Sequence, residues 1–322
     1  MSENKLTYRQ GDQYAPIPEN EKHLQTITAQ HFVDIPLDRS HPAFNILEGL
    51  NFDKKGNLYV CVPPQGDIYR VNMKTKEVKL FVHLPHNMLP SALKVHRDGR
   101  LFITSAGSDY GCSVAVLDPE TGKVLKEIAN LPGHMFDDLA FDKKGGFYLS
   151  DLGGTLDKPT AGIYYVKPDE ETVVPVVETG MIASNGIGLD PAEESLWVTE
   201  YGRGQLHHLG LSKDKTSVVP SLSNIPYYFT GMEGPDSLTV DHDGNVYMSM
   251  CGQGRFLIFN KNGFPIGQIL LPGRENGDML KSTHIIIRPG TNEAYMCSSN
   301  LKNGKASVFK AQVYAKSNNF ND

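Results

Sequence analysis

The chain has 322 residues, of which 39% are hydrophobic and 21% are charged, and its formal net charge at pH 7 is −6. This acidic balance disfavours a nucleic-acid-binding protein, because neutralising phosphates requires a basic face. No apolar run approaches the roughly 18–20 residues that cross a bilayer, so we expect no membrane association. Residues 1–13 lack the apolar core of a secretory signal, and we expect a cytoplasmic protein.

Four cysteines are widely spaced and show no Cys-x-x-Cys pattern: Cys61, Cys112, Cys251 and Cys297. This spacing disfavours both a zinc site and a dense disulfide framework. We therefore expect reduced, buried thiols, as is usual in cytoplasmic proteins.

One pattern recurs six times along the chain. Each copy has an apolar anchor in an alternating stretch, then a polar turn that usually contains glycine, then an aromatic residue within a short apolar strand. The anchors are Leu50, Leu93, Leu139, Ile187, Leu238 and Ile285, and the aromatics are Tyr59, Phe102, Tyr148, Trp197, Tyr247 and Tyr295. Successive anchors are 43 to 51 residues apart. Alternation with period two is typical of β-strands, and we expect the aromatics to pack between units.

Repeats of this length, each with roughly four strands, are typical of β-propeller blades. The sequence therefore predicts an all-β, six-bladed β-propeller with four antiparallel strands per blade, and we interpret residues 1–322 as one domain. Residues 1–40 would form an N-terminal arm, and the blades would occupy about 41–322. The arm contains a strand-like segment, Thr26–Val33. We expect it to complete the last blade around Ala306–Tyr314 and so close the ring.

Side chains that carry oxygen recur two residues before the anchors: Glu48, Ser91, Asp137, Asn185, Asp236 and Thr283. The first strand of each propeller blade lines the central channel, so equivalent offsets should lie at one height around the axis. Three carboxylates and an amide would converge there. The carboxylates would repel one another strongly unless a cation lay between them.

The donor types indicate which ion would bind. Oxygen ligands without thiolate or imidazole favour Ca²⁺ before Mg²⁺ or Mn²⁺ and disfavour Zn²⁺. Alternatively, Asp and Asn at strand starts are turn residues that hydrogen-bond to nearby backbone. We prefer that turn interpretation for the aspartates that follow the anchors by three residues, which are Asp53, Asp142, Asp190 and Asp241.

Five segments resemble the family of six-bladed propellers that includes senescence-marker protein, regucalcin and gluconolactonase, and in particular its staphylococcal lactonases. The segments are 47–50, 184–187, 225–237, 252–273 and 282–284. The resemblance extends over nearly the whole chain. It implies a Ca²⁺-dependent hydrolase that acts on a small-molecule lactone, with its metal ion on the propeller axis.

The resemblance also implies roles for individual residues. The family's metal-binding glutamate and asparagine fall on Glu48 and Asn185, and its catalytic aspartate falls on Asp236. The ligand of the third blade falls on either Asp137 or Asp138, and the repeat offset favours Asp137.

Two further metal contacts follow from the same resemblance. Ser237 would add a ligand oxygen beside Asp236. A second, structural calcium ion near the third blade would use Asp109 or Asp137, although segment 129–136 departs from the family pattern there.

The implied mechanism has Ca²⁺ bind the lactone carbonyl oxygen while Asp236 takes a proton from the attacking water and later protonates the leaving alkoxide. His284, Tyr228 and Met88 are candidate substrate contacts. The alternatives are a purely structural histidine and ordinary packing at the blade rim.

Two other functions are compatible with the sequence. One is an organophosphate (phosphotriester) hydrolase that uses the same metal and Asp236. The other is a non-catalytic propeller that binds calcium or serves as a scaffold. The axial carboxylates favour an enzyme, since a scaffold has no need of them, and no Gly-x-Ser-x-Gly nucleophile motif is present in the sequence.

Overall fold

The polar turns of the repeat close β-hairpins. In the computed structural model, which describes residues 5–37, 46–109 and 111–318, Oδ1 of Asp53 accepts a hydrogen bond from the Asn57 amide (2.8 Å). Gly56 takes a φ of 79° in this turn, a conformation that glycine adopts without steric cost. Asp241 accepts a hydrogen bond from the Asn245 amide in the same way (2.9 Å). The turn interpretation of these aspartates is confirmed.

Each repeat forms a sheet whose strands follow one another in sequence order. Blade one consists of Glu48–Phe52, Leu58–Val62, Asp67–Val71 and Val78–His83. Blade two consists of Pro90–Val95, Leu101–Ser105, Val114–Leu117 and Val124–Ile128. Blade three consists of Phe136–Phe141, Phe147–Asp151, Ala161–Val166 and Val173–Met181. Blade four consists of Ser184–Leu189, Ser195–Glu200, Gln205–Gly210 and Asn224–Tyr228. Blade five consists of Pro235–Val240, Val246–Met250, Arg255–Phe259 and Pro265–Leu270. Blade six consists of Lys281–Ile287, Glu293–Asn300 and Lys305–Gln312, and a strand of the N-terminal arm is its fourth strand.

Helical structure in the described parts of the chain consists of short 3-10 turns: Glu19–Glu21, Pro63–Gln65, Tyr201–Arg203, Pro220–Leu222 and Arg274–Asn276. Within those parts, no helix has the length and apolar character needed to cross a membrane.

The innermost strands form a closed circle around the channel. Each contacts the innermost strand of the next blade, and contact between Lys281–Ile287 and Glu48–Phe52 completes the circle. The core lies between the blades: Tyr59 of blade one, for example, packs in a cluster with Leu93 and Ile103 of blade two. All four cysteines are buried and free. The predictions of a six-bladed β-propeller, of inter-blade aromatics and of buried thiols are confirmed.

An N-terminal strand completes the sixth blade. Gln30–Asp34 pairs antiparallel with Lys305–Gln312, and the buried Phe32 packs edge-on against Tyr295, with ring centroids 5.2 Å apart. Pairing this arm strand with Lys305–Gln312 protects a sheet edge that would otherwise be open. The predicted ring closure is confirmed.

The arm also adds a fifth strand to blade five. Gln25–Thr28 pairs in parallel with Pro265–Leu270, so the predicted segment Thr26–Val33 is two strands instead of one. The chain passes from blade five to blade six at Ala29, which is buried and whose amide donates to the Leu270 carbonyl (2.9 Å).

A buried ion pair fastens the arm to blade five. Arg255 donates through Nη2 to the carboxylate of Glu21, and both side chains are almost fully buried. The Nε of Arg255 donates to Gln268 (2.8 Å), and the Tyr227 hydroxyl donates to the second oxygen of Glu21. Both carboxylate oxygens of Glu21 therefore accept hydrogen bonds from residues that are distant in sequence, one in blade four and one in blade five.

This arrangement predicts a large stability loss when Glu21 is neutralised. Glu21→Gln leaves the Arg255 guanidinium buried without its partner, and we expect the free energy of unfolding to fall by about 3–5 kcal/mol. Glu19→Gln is the matched control, because Glu19 and its partner Lys22 are solvent-exposed and such pairs contribute at most about 1 kcal/mol. Urea denaturation measures both changes. Equal effects of the two substitutions would contradict the role of the ion pair.

Candidate active site at the channel

Every innermost strand carries a β-bulge near its start. The register shifts lie between residues 48 and 51, 90 and 92, 136 and 139, 184 and 187, 235 and 238, and 282 and 284. A bulge takes a residue out of the ladder and redirects its side chain. In blades three to five the shift includes Asp137, Asn185 or Asp236, and in blade one it directly follows Glu48.

Two glycines allow the bulged strands to approach their neighbours. Gly49 has a φ of 56°, and a Cβ there would lie 2.6 Å from the Cys61 sulfur. A Cβ at Gly186 would lie 2.4 Å from the amide nitrogen of Leu238 in the next blade. Both positions therefore require glycine, and each directly follows a residue of the candidate site, Glu48 or Asn185.

The carboxylates of this cluster are buried and repel one another. Burial, and then the charges of Asp236 and Asp137, raises the pKa of Glu48 well above its ordinary value. Burial, and then the charges of Asp236 and Asp138, does the same to the pKa of Asp137. Burial raises the pKa of Asp236 to about 7 despite a hydrogen bond from Asn185 that lowers it. These groups resist ionisation unless positive charge is nearby.

Three oxygens of the cluster have no hydrogen-bond partner among the described residues: Oε2 of Glu48, Oδ1 of Asn185 and Oγ of Ser237. A buried oxygen without a partner costs about 1–3 kcal/mol. Carboxylate, amide and hydroxyl oxygens are donor types that suit a hard cation such as Ca²⁺. Across residues 5–37, 46–109 and 111–318, no three His, Cys, Asp or Glu side chains are gathered closely enough to hold an ion by themselves. Amide, hydroxyl or water ligands would therefore have to complete a coordination shell.

The two adjacent aspartates of blade three have different surroundings. Asp138 is completely buried, and the Nζ of Lys94 from blade two lies 2.9 Å from its Oδ1. The same oxygen accepts the Leu139 amide (2.7 Å). The charges of Asp236 and Asp138 raise the pKa of Asp137, and the charge of Lys94, which has no ion pair with Asp137 among the described residues, lowers it. Since Asp138 already has a cation from the chain itself, Asp137 is the better candidate for an additional one.

His284 is fully buried beside Glu48. Its Nδ1 lies 3.9 Å from Oε2 of Glu48, and neither ring nitrogen has a hydrogen-bond partner within the described segments. Burial, together with the charge of Lys94, lowers the pKa of His284 well below its ordinary value. A neutral imidazole with unused hydrogen-bonding capacity therefore borders the cluster, and its contact with substrate stays a prediction.

The three remaining sequence-predicted residues have different surroundings. Met88 is fully buried and packs with Leu93 in the core between blades one and two. Tyr228 ends the outermost strand of blade four and is 64% exposed. Asp109 is exposed and accepts a hydrogen bond from the Asn87 amide group (2.9 Å). Roles for these residues in substrate or metal binding stay predictions.

Three residues beside Asp236 escaped the sequence analysis. The Cys251 thiol donates to Oε2 of Glu233 (3.1 Å) and lies close enough to Asp236 to lower the pKa of its carboxyl group. Lys281 forms an ion pair with Glu233. These three residues belong to separate segments of the chain, and none of them stands two residues before an anchor. The sequence therefore offered one indication of their role, which is that Glu233 lies three residues before Asp236.

Comparison with known proteins identifies close relatives. The chain is 43% identical over 291 residues to lactonase drp35 of Staphylococcus aureus strain USA300, covering 90% of this chain and 88% of the relative. It is 43% identical over 303 residues to lactonase drp35 of Staphylococcus epidermidis, covering 92% of this chain and 91% of the relative. The resemblance inferred from the sequence is confirmed.

Solved structures share the fold at low identity. Regucalcin of Agrobacterium tumefaciens, described as a calcium-binding protein, superimposes with a TM-score of 0.69 at 16% identity and covers 92% of this chain and 98% of its own. A gluconolactonase of Xanthomonas campestris gives a TM-score of 0.67 at 12% identity, covering 84% and 87%. Residues 107–299 match the family model described as the SMP-30/gluconolactonase/LRE-like region. Together with the lactonase relatives, this match shows that the chain belongs to the SMP-30/gluconolactonase/LRE-like family.

Proposed function

We propose that the chain hydrolyses the ester bond of lactones at the channel cluster formed by Glu48, Asp137, Asn185, Asp236 and Ser237. The identity to lactonase drp35 over 90% of the chain supports the reaction class. The observation that carries the choice of site is the mutual repulsion of buried carboxylates next to buried oxygens that have no partner in the described chain. Repelling charges of this kind need a compensating cation.

The cluster fits a hard divalent cation, with Ca²⁺ preferred over Mg²⁺ or Mn²⁺. Glu48, Asn185, Asp236 and Ser237 would hold it together with Asp137. When bound, such an ion supplies electrophilic catalysis by polarising the ester carbonyl.

Asp236 is the proposed general base and acid. Its carboxylate would accept a proton from the attacking water as the water oxygen bonds to the carbonyl carbon. The bond from this carbon to the ring oxygen then breaks, and Asp236 returns the proton to the leaving alkoxide, giving a hydroxy acid. The hydrogen bond from Asn185 would hold the carboxylate in a fixed orientation for both transfers.

Replacing the proposed base should remove catalysis without unfolding the ring. We expect Asp236→Asn to lower kcat/KM for an unsubstituted δ-lactone by roughly 10²–10⁴-fold, the usual contribution of a positioned acid or base. The control is Asp243→Asn, in an exposed hairpin turn of the same blade, which should keep wild-type activity. Near-normal turnover by Asp236→Asn, with unchanged circular dichroism, would contradict the assignment.

The adjacent aspartates of blade three should respond differently to substitution. Asp137→Asn should weaken Ca²⁺ binding, because it removes a proposed ligand, while easing repulsion in the metal-free protein. Asp138→Asn leaves Lys94 buried without a carboxylate and should lower the free energy of unfolding by about 3 kcal/mol. Calorimetric titration with Ca²⁺ and urea denaturation measure the two effects. The reverse pattern would assign the metal to Asp138.

The metal-free protein should lose stability as the pH rises. The folded-state pKa of Asp236 is about 7 against an ordinary value of 3.8, and the pKa values of Glu48 and Asp137 are also raised. Because the folded state binds these protons more tightly, stability is greatest below about pH 4 for these groups and declines as the pH rises towards 7.

Added Ca²⁺ should reverse that decline by binding the folded state. The measurement is Tm after chelator treatment at pH 5 and pH 8, each with and without Ca²⁺. We expect a larger rise in Tm at pH 8, and a smaller rise with Zn²⁺. A Tm that Ca²⁺ does not change at pH 8 would argue against a metal site here.

A further inference from the structure

A cavity of about 450 Å³ lies between the N-terminal arm and two loops next to the candidate site. The arm contributes residues 14–18, and the loops contribute residues 230–233 and 251–253. This volume falls within the roughly 300–1,000 Å³ that is typical of small-molecule sites. Neither the repeat pattern nor the channel cluster accounts for this space.

The wall formed by the arm is apolar and stiff. Its sequence is Tyr-Ala-Pro-Ile-Pro over 14–18, in which the only polar side-chain atom is the Tyr14 hydroxyl. The two prolines fix their own φ angles and limit the freedom of this segment. The exposed Met232 adds a further apolar side chain from the opposite loop. A ligand in the cavity would therefore present hydrocarbon to this wall.

Hydrogen bonds join the three walls to one another. Arg274, which is nearly fully buried, donates through Nε to the Gln253 carbonyl (2.9 Å) and through Nη2 to the Ala15 carbonyl. The Gln253 side-chain amide in turn donates to the Thr230 carbonyl (2.9 Å). The cavity is thus built into the fold before any ligand arrives, which reduces the entropic cost of binding.

The polar side of the cavity reaches the proposed catalytic residue. Glu233 and Cys251 both line it, and the Cys251 sulfur lies 3.1 Å from Glu233. The same thiol lies next to Asp236 and lowers the pKa of its carboxyl group. Cys251 therefore separates the cavity from Asp236 by a single side chain.

We propose that this cavity binds the ring substituent of the substrate, and that the enzyme prefers lactones bearing an extended apolar side chain. The inference rests on the proposed function, since it assumes that the ester reacts at Asp236. It assigns to the N-terminal arm a part in specificity in addition to its part in closing the ring.

The test compares kcat/KM for δ-valerolactone with that for a δ-lactone carrying a five-carbon alkyl chain. Each buried methylene contributes about 0.8 kcal/mol, so we expect wild-type protein to favour the alkyl lactone by at least about tenfold. Ile17→Asp places a carboxylate on the arm wall of the cavity and Met232→Asp places one at its solvent-facing rim, and each should lower this ratio about tenfold. Met232 is fully exposed, so its substitution does not threaten folding, whereas Ile17 is half-buried. Leu6→Asp, at a fully exposed arm position outside the cavity, is the control and should change neither value.

The outcomes separate the two proposals. If wild-type protein hydrolyses δ-valerolactone but shows no preference for the alkyl lactone, the proposed function stands and the cavity assignment is wrong. The cavity assignment is also wrong if the ratio in Met232→Asp and Ile17→Asp equals that of Leu6→Asp. If wild-type protein hydrolyses neither lactone, the proposed function itself fails and the assignment fails with it.

Discussion

The repulsion among buried carboxylates at one end of the propeller channel is the constraint on which the functional interpretation depends. A chain can relieve such repulsion by protonating the groups, by supplying a cationic side chain, or by binding an ion. Asp138 shows the second solution, because Lys94 lies 2.9 Å from it. Glu48 instead borders the neutral ring of His284, and one of its oxygens has no partner among the described residues. The third solution, a bound divalent ion, is the one that also provides chemistry for a lactonase.

The fold creates this concentration of charge through a recurring irregularity. A β-bulge lies near the start of all six innermost strands. Each bulge leaves a backbone position unpaired and changes the direction of a nearby side chain. A propeller can carry such costly groups because the core between its blades is apolar. The N-terminal arm contributes twice, since it closes the ring at Gln30–Asp34 and lines a cavity with residues 14–18.

The sequence predicted the features that depend on local signals. The alternating strands, the Asp and Gly turns and the repeat offset led to the six blades, the closing strand and the cluster around Asp236. Features that depend on distant contacts could not be predicted in this way. The ion pair of Lys94 with Asp138 joins two blades. The passage of the N-terminal arm from blade five to blade six at Ala29 depends on the free edge strand of blade five. The contact of Cys251 with Glu233 joins two loops that no periodicity relates.

Family membership indicates lactone hydrolysis, but the residues of the channel cluster must explain how the ester bond is broken. The central claim is that the channel carboxylates share one divalent ion with Asn185. The most direct measurement is a crystal structure grown with Ca²⁺ and examined for anomalous scattering. The account predicts one peak within about 2.3–2.6 Å of oxygens from Glu48, Asn185 and Asp236. A well-ordered channel with no peak between these three side chains would contradict it.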